Sequence, residues 1–295
     1  MAYYNEHTVL WQDGNIVKAS EAKTDLYSQS LHYGYAVFEG IRSYRTAAGA
    51  TRIFKAVEHY DRLCRSAEAL NMPYKYDTDT LIKATYEVLK LNNLQDAYIR
   101  PVVYAPANMS FNLNTTSYTI IQTWEMAPFF GERLLKVMTS SFQRPNPKAF
   151  HIEAKASGHY VNSILASQEA KAKGFDEALL TDIHGFIAEG TGANIFFEKD
   201  GALFTPAKGN ILPGITRATV LEICNELNIP VEEGQYTIQQ LKAADAAFFC
   251  GTAAEVIGWE SIDNTKFPAP WKETLGKKIQ QAYMDKVTEK QLALA

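Results

Sequence analysis

A mixed α+β fold, with helices and strands grouped rather than alternating, is predicted by three features of this sequence. Apolar runs turn at DGN, IHG and KDG, each holding one glycine, as hairpins do. Stretches of helical spacing lie between groups of strands. Strands and helices show no regular βαβ order, which disfavours a doubly wound sheet. At 295 residues with 46% hydrophobic content, the chain is long enough to bury one large or two medium cores.

In chain order, TVLWQ and IVKAS flank Asp13-Gly14 and read as a hairpin. AVFEGIRSYR and TRIFK read as a second strand pair. From Lys55 to Asn71 the residues Val57, Tyr60, Leu63, Cys64, Ala67 and Leu70 recur at helical spacing and predict an amphipathic helix. Asp79 is placed as the cap of a further helix through Leu91, and AYIRPVVYA and SYTIIQTW read as strands. The segment MAPFFGER marks a boundary, giving a small α+β domain at 1–126, a linker at 127–133 and a larger domain at 134–295. In the second region LLKVMTSSF is followed by the helical GHYVNSILASQEAKAKG, which stops at Gly174. EALLTD and FIAE, then NIFFE and ALFTP, turn at IHG and KDG. Pro213 and Gly214 open a helix carrying Ile215, Val220, Leu221, Cys224 and Leu227. DAAFFCGT reads as a strand, and a helix near 272–288 closes the chain.

The formal net charge of −4 supplies no basic field for a polyanion, so nucleic acid is not expected as a partner. Cys64, Cys224 and Cys250 lie far apart without CxxC spacing; neither a disulfide framework nor a metal site is indicated, and a reducing cytoplasm is the expected setting. The opening MAYYNEHTVLWQDGN lacks the pattern of a signal peptide, and no stretch reaches the roughly 18 apolar residues of a membrane span.

Four stretches bear on chemistry. IAEGTGANIF sets Glu189 before its glycines; the third glycine of a dinucleotide fingerprint is missing and a hairpin follows, so that reading fails. Alone, the stretch also fits a surface turn. NILPGITRATVL opens a helix whose first turn holds Ile215 and Thr216, where N–H groups and the dipole suit a phosphate, or simply a core helix. FCGTAAE ends a strand in small residues, as an ordinary turn also does. EAKASGHYVNS places Lys155 among small, uncharged neighbours with Tyr160 following; His159 reads as a packed or surface histidine.

The ordered set SLHYGYAVFEGIRSYR, HYDRL, AYIRP, KASGHYVNS, IAEGTGANIF, LPGITR and GTAAE, running from about Ser28 to about Glu255, resembles the branched-chain amino-acid aminotransferases among the fold-type-IV pyridoxal-phosphate enzymes. The resemblance implies two domains, the larger one barrel-like, and pyridoxal 5'-phosphate as cofactor. It implies that Lys155 forms the Schiff base with the cofactor and moves the substrate proton, and that Glu189 keeps the pyridine nitrogen protonated. Tyr160 is expected at the phenolate oxygen. Arg62, Ile215, Thr216 and Thr252 are expected at the phosphate, and Leu212 against the ring.

For the substrate, the resemblance assigns Arg42, Tyr98, Arg100 and the Thr252-Ala253 backbone to carboxylate binding, and Tyr33, Phe38, Met126, Phe129 and Ala254 to the apolar wall. Tyr98 and Arg100, two apart, share one face of a strand. The implied reaction is transamination of L-leucine, L-isoleucine and L-valine with 2-oxoglutarate, giving branched 2-oxo acids and L-glutamate. D-Amino-acid aminotransferases, amine aminotransferases and aminodeoxychorismate lyases share the lysine and the glutamate; FEGIR with AYIRP separates the branched-chain class from them. Many bacterial relatives carry tryptophan and tyrosine where Met126 and Phe129 align, and the loop 105–117 departs from the family pattern. That loop usually crosses a dimer interface in the family, which implies a homodimer.

Overall fold

The computed structural model describes residues 3–126 and 133–290. The chain divides into two compact units, Met1–Ala127 with Ala154–His159, and Pro128–Glu153 with Tyr160–Ala295. The expected linker 127–133 lies, apart from Arg133, outside the described residues, and so does Phe129.

In the first unit the Asp13-Gly14 turn forms the expected hairpin: β1 (Val9–Gln12) pairs antiparallel with β2 (Asn15–Lys18). A short helix α1 (Gln29–Tyr33), capped by the Ser28 side chain, precedes β3 (Ala36–Phe38), β4 (Ile41–Arg45) and β5 (Thr51–Ile53). AVFEGIRSYR is therefore two strands, not one, broken at Glu39-Gly40. At the break Gly40 meets a side chain distant in sequence: a Cβ there would lie 2.0 Å from the Tyr98 hydroxyl, so only glycine permits the approach.

The amphipathic helix α2 (Ala56–Ala69) buries Tyr60, Leu63 and Ala67 as its spacing requires, and also His59, Arg62 and Ser66. Helix α3 (Thr78–Leu91) is capped by Asp77 rather than Asp79. The Asp77 carboxylate accepts from the Thr80 N–H at 2.7 Å, while Asp79 sits in the first turn, where the dipole favours its charge. β6 (Ala97–Tyr104) and β7 (Tyr118–Glu125) pair over their full length. The resulting seven-stranded sheet has the order β2-β1-β7-β6-β4-β5, with β3 on β6. Tyr60, Leu63 and Leu81 from the helices meet Ile41, Ile99 and Ile121 from the strands in one core. Strand alternation puts Tyr98 and Arg100 on the opposite face of the sheet.

The second unit opens with β8 (Leu135–Gln143), α4 (Tyr160–Ala172), β9 (Glu177–Thr181) and β10 (Ile187–Gly190). It continues through β11 (Asn194–Lys199), β12 (Ala202–Pro206), α5 (Ile215–Glu226), β13 (Val231–Gly234) and α6 (Ile238–Lys242). β14 (Ala246–Gly251), β15 (Glu255–Ile262), β16 (Thr265–Lys266) and α7 (Leu275–Val287) complete it. The nine-stranded sheet, in the order β10-β9-β8-β15-β14-β11-β12-β13 with β16 on β15, curls as a half barrel. Its β8 runs parallel to both β9 and β15, whereas β14 lies between β11 and β15 and is antiparallel to each. Ala166 and Ala170 let α4 pack closely on Met138, Ala178 and Leu180. Among the described residues no helix is long and apolar enough to cross a membrane.

Candidate active site

Each unit carries its own group of the expected site residues. In the first, the segment 154–156 lies along β3: Val37 bridges Ala156, and the Phe38 N–H donates to the Lys155 carbonyl at 3.1 Å. The Lys155 N–H donates to Ser66 Oγ at 3.1 Å, fixing this short segment to α2 as well. Its Nζ stands 5.2 Å from the centre of the buried Phe38 ring. The Arg100 guanidinium is 4.6 Å from the same ring and 5.2 Å from that of Tyr98, to whose hydroxyl it donates at 3.0 Å. Arg42 is the cross-strand neighbour of Tyr98 and donates to the Met126 carbonyl at 3.0 Å. Phe38, Arg42, Tyr98, Arg100, Met126 and Lys155 are thus joined by short contacts. Tyr33 stands apart at the end of α1, largely exposed, with its ring against Phe111.

Arg62 is buried on α2, and Glu39 holds it. Arg62 Nε and Nη2 donate to the two carboxylate oxygens at 2.6 and 2.9 Å, and His59 Nδ1 lies 2.7 Å from Glu39 Oε2. Burial alone would raise the Glu39 carboxyl, but the charges and hydrogen bonds of Arg62 and His59 outweigh it and hold the group well below the usual carboxylate range. Burial lowers His59, and Arg62 and Lys155 add to that effect against the pull of Glu39. A neutral His59 with its proton on Nδ1, facing the carboxylate, satisfies both observations.

In the second unit Glu189 is buried on β10 and is the hub of the site. The Leu212 N–H reaches both of its oxygens at 3.2 Å, and Asn194 Nδ2 donates to Oε2 at 3.1 Å. Arg144 Nε lies 2.9 Å from Oε1, an ion pair whose N–H is not aligned as a hydrogen bond. Asn194 also donates to the Leu212 carbonyl at 3.0 Å, tying the strand to the loop before α5. Gly214 is demanded here, because a Cβ would lie 2.0 Å from Asn194 Oδ1. Helix α5 starts at Ile215 and Thr216 with no side-chain cap, so its first-turn N–H groups face no capping oxygen of Gly214. β11 pairs with β14, with Asn194 opposite Cys250, which brings the turn Thr252–Ala254 beside the loop of Glu189. Tyr160 opens α4, and Asn162 of that helix accepts from Arg144 Nη1 at 3.2 Å.

Arg144, Glu39 and His59 were not anticipated. Arg144 and Glu39 are buried partners of the anticipated Glu189 and Arg62, and His59 is a buried partner of Glu39; Glu39 and His59 lie within the quoted motifs FEGIR and HYDRL, where neither gave a sign of being buried, and Arg144 lies within none.

The chain's residues 36–262 match the model of the family "Amino-transferase class IV". The branched-chain-amino-acid aminotransferase of Pseudomonas aeruginosa is 40% identical, over 98% of this chain and 96% of that protein. A branched-chain aminotransferase from Thermoproteus uzoniensis, solved with norvaline, superposes with a TM-score of 0.92 at 36% identity, covering 96% of each chain. A branched-chain amino acid aminotransferase from Thermobaculum terrenum, solved in its PLP form, has a TM-score of 0.90 at 32% identity, over 97% of this chain and 95% of that one. With these likenesses spanning both units and every quoted motif, the chain belongs to the class IV aminotransferases, in their branched-chain-amino-acid aminotransferase group.

Proposed function

We propose that this protein transfers the amino group of L-leucine, L-isoleucine and L-valine to 2-oxoglutarate, using pyridoxal 5'-phosphate. The donor set fits that cofactor: one amine, one buried and ion-paired carboxylate, one anchored arginine and an uncapped helix start. When bound, pyridoxal phosphate supplies an electron sink that lets the Cα–H bond of an amino acid ionise. Arg62, the N–H groups of Ile215 and Thr216, and Thr252 hold its phosphate. Glu189 would keep a proton on the pyridine nitrogen, and Arg144, 2.9 Å from its Oε1, holds that carboxylate in place. Tyr160 would donate to the cofactor's phenolate oxygen, and Leu212 would pack on its ring. Lys155 would tether the cofactor and, once the substrate amine has taken its place and set it free, would take the proton from the substrate Cα and return one.

Arg42, Tyr98, Arg100 and the Thr252-Ala253 backbone receive carboxylates. Phe38, Tyr33, Met126, Ala254 and Phe129 supply the apolar wall. The observation that carries this reading is Arg100, which meets aromatic rings rather than a carboxylate while its neighbour Phe38 also faces Lys155 Nζ. An enzyme for simple amines has no use for a cation in that place. Rates with L-leucine, D-alanine and a simple chiral amine, each with 2-oxoglutarate, test it. L-leucine is expected to be preferred by at least about 100-fold, the discrimination that buried polar recognition commonly gives; preference for either of the others would overturn the assignment.

A homodimer is the proposed assembly. Leu26, Tyr27, Leu31, Tyr33, Phe111 and Leu113 are all exposed in the first unit, and an apolar group of this kind is normally covered. A solution mass near that of the single chain would remove this reading. The free thiols of Cys64, Cys224 and Cys250 suit the reducing cytoplasm we assign to it.

A further inference from the structure

Trp124 is assigned no part in the reading above, yet it completes the surroundings of two residues that are. It lies on β7 directly across from Tyr98, whose other cross-strand neighbour is Arg42, so Arg42, Tyr98 and Trp124 form one row over three strands. All three point to the sheet face opposite the core. The Trp124 ring stacks on Tyr98 at 5.0 Å with 27° between planes, and its face lies 5.9 Å from the Arg100 guanidinium.

Arg100 is therefore enclosed by three aromatic rings, at 4.6, 5.2 and 5.9 Å, and holds one hydrogen bond to Tyr98. No carboxylate pairs with it among the described residues, and its buried Nε has no hydrogen-bond partner there. Rings hold a guanidinium in place while leaving its charge available, whereas a carboxylate would cancel it. On the far side the residue borders a cavity of about 430 Å³ lined by Tyr3, Tyr4, Gln122 and Trp124 among others. Trp124 stands at that border, and the Tyr3 ring meets it edge-on at 5.3 Å. Without the indole, the guanidinium has room to swing into the cavity and away from Phe38.

We propose that Trp124 is a positioning residue for substrate selection: it fixes Tyr98 and Arg100 so that the guanidinium receives the second carboxylate of a dicarboxylic substrate. A branched-chain substrate has no such group and depends only on the apolar surfaces. The proposal rests on the assignment of Arg100 to carboxylate binding, and the test separates the two.

The experiment uses the cofactor-loaded, full-length enzyme with L-valine as donor and either 2-oxoglutarate or 4-methyl-2-oxopentanoate as acceptor. In Trp124→Leu the KM for 2-oxoglutarate is expected to rise about tenfold, the worth of roughly one desolvated cation–π contact. The KM for 4-methyl-2-oxopentanoate and both kcat values stay within about threefold, and Trp124→Phe restores most of the loss. Trp124→Met fills similar volume without a ring and replaces the leucine variant if that one does not fold. A ratio of the two KM values that rises less than about threefold in the ringless variant overturns the role of Trp124. Arg100→Leu is run alongside: if it leaves the KM for 2-oxoglutarate unchanged, the assignment of Arg100 itself fails, and if it raises that KM while the ringless variant does not, only Trp124 is dismissed.

Discussion

The two units each contain a buried glutamate–arginine pair, and under the proposed function the partners exchange roles. In Glu39–Arg62 the arginine is the working group, directed at a phosphate, and the glutamate is its holder. In Glu189–Arg144 the glutamate works, at a pyridine nitrogen, and the arginine holds. The surroundings differ accordingly. Glu39 has no exposed surface and spends its oxygens on Arg62 and His59, with a further contact from the Gly40 N–H. Glu189 is fixed by a side-chain amide and a backbone N–H besides its arginine, groups that orient a carboxylate without adding charge. One ion-pair chemistry thus yields a rigid cation in one unit and a rigid anion in the other; the neighbours decide which.

Paired substitutions sharpen that contrast most. Glu189→Gln is expected to lower kcat at least about 100-fold even with saturating cofactor, the usual scale for removing a preorganised charge at a reacting centre. Glu39→Gln is expected to leave kcat at saturating cofactor within a few-fold while weakening pyridoxal phosphate binding. It also strands a buried Arg62, costing about 3–5 kcal/mol in urea unfolding. The pH dependence follows from the direction of the Glu39 shift. A carboxyl held below its ordinary range stabilises the fold fully at neutral pH, and that stabilisation is lost as pH falls from about 4 towards the lower folded value. The stability gap between wild type and Glu39→Gln should therefore be constant above about pH 5 and shrink in acid. Equal kcat losses at saturating cofactor in both variants would erase the distinction between holder and working group.

A smaller effect is expected from Gly214→Ala, which tests whether the orientation of Glu189 matters beyond its charge. The new Cβ would meet Asn194 Oδ1 at 2.0 Å, so Asn194 or the start of α5 must shift. Activity should fall about tenfold to 100-fold, since displacements on the order of 1 Å have that cost at a reacting centre. Stability should drop only about 1–3 kcal/mol, as for a modest overpacking. Wild-type activity in a folded Gly214→Ala protein would mean that the Asn194 contact to Glu189 is dispensable.

The sequence shows the working groups far better than their holders. Lys155, Glu189 and the LPGITR turn sit in short patterns whose glycines, prolines and hairpin ends are local, and such patterns survive being read in one dimension. Arg144 meets Glu189 and Glu39 meets Arg62 only after strands and helices have packed, and nothing near Arg144 in the chain marks it. The same reason explains the need for glycine at position 40, beside the Tyr98 hydroxyl, whereas α1 is too short for its periodicity to show. β15 is poorly marked in the sequence, because two acids and a glycine interrupt the apolar run of EVIGWESI. The cap of α3 lies two residues before the expected Asp79, because Asp77 and Asp79 are both good candidates and only geometry chooses between them.

Glu177 supplies the opposite sign to Glu39 and the mildest test. It is buried on β9, accepts from the Ala178 N–H and the Thr191 hydroxyl at 2.8 and 2.9 Å, and has no ion pair among the described residues. Burial pushes its carboxyl up, only partly offset by those hydrogen bonds. The folded protein therefore keeps a proton that the unfolded chain releases, and the contribution of Glu177 declines as pH rises from about 4 through its raised folded value. Glu177→Gln retains an acceptor for Thr191 and carries no charge at any pH. Its stability relative to wild type should improve between pH 4 and pH 8, with turnover unchanged, in urea titrations at the two pH values. A relative loss over that range would mean that the charge on Glu177 is stabilised as Glu39 is, by a cation, and that the two buried glutamates differ less than their neighbours indicate.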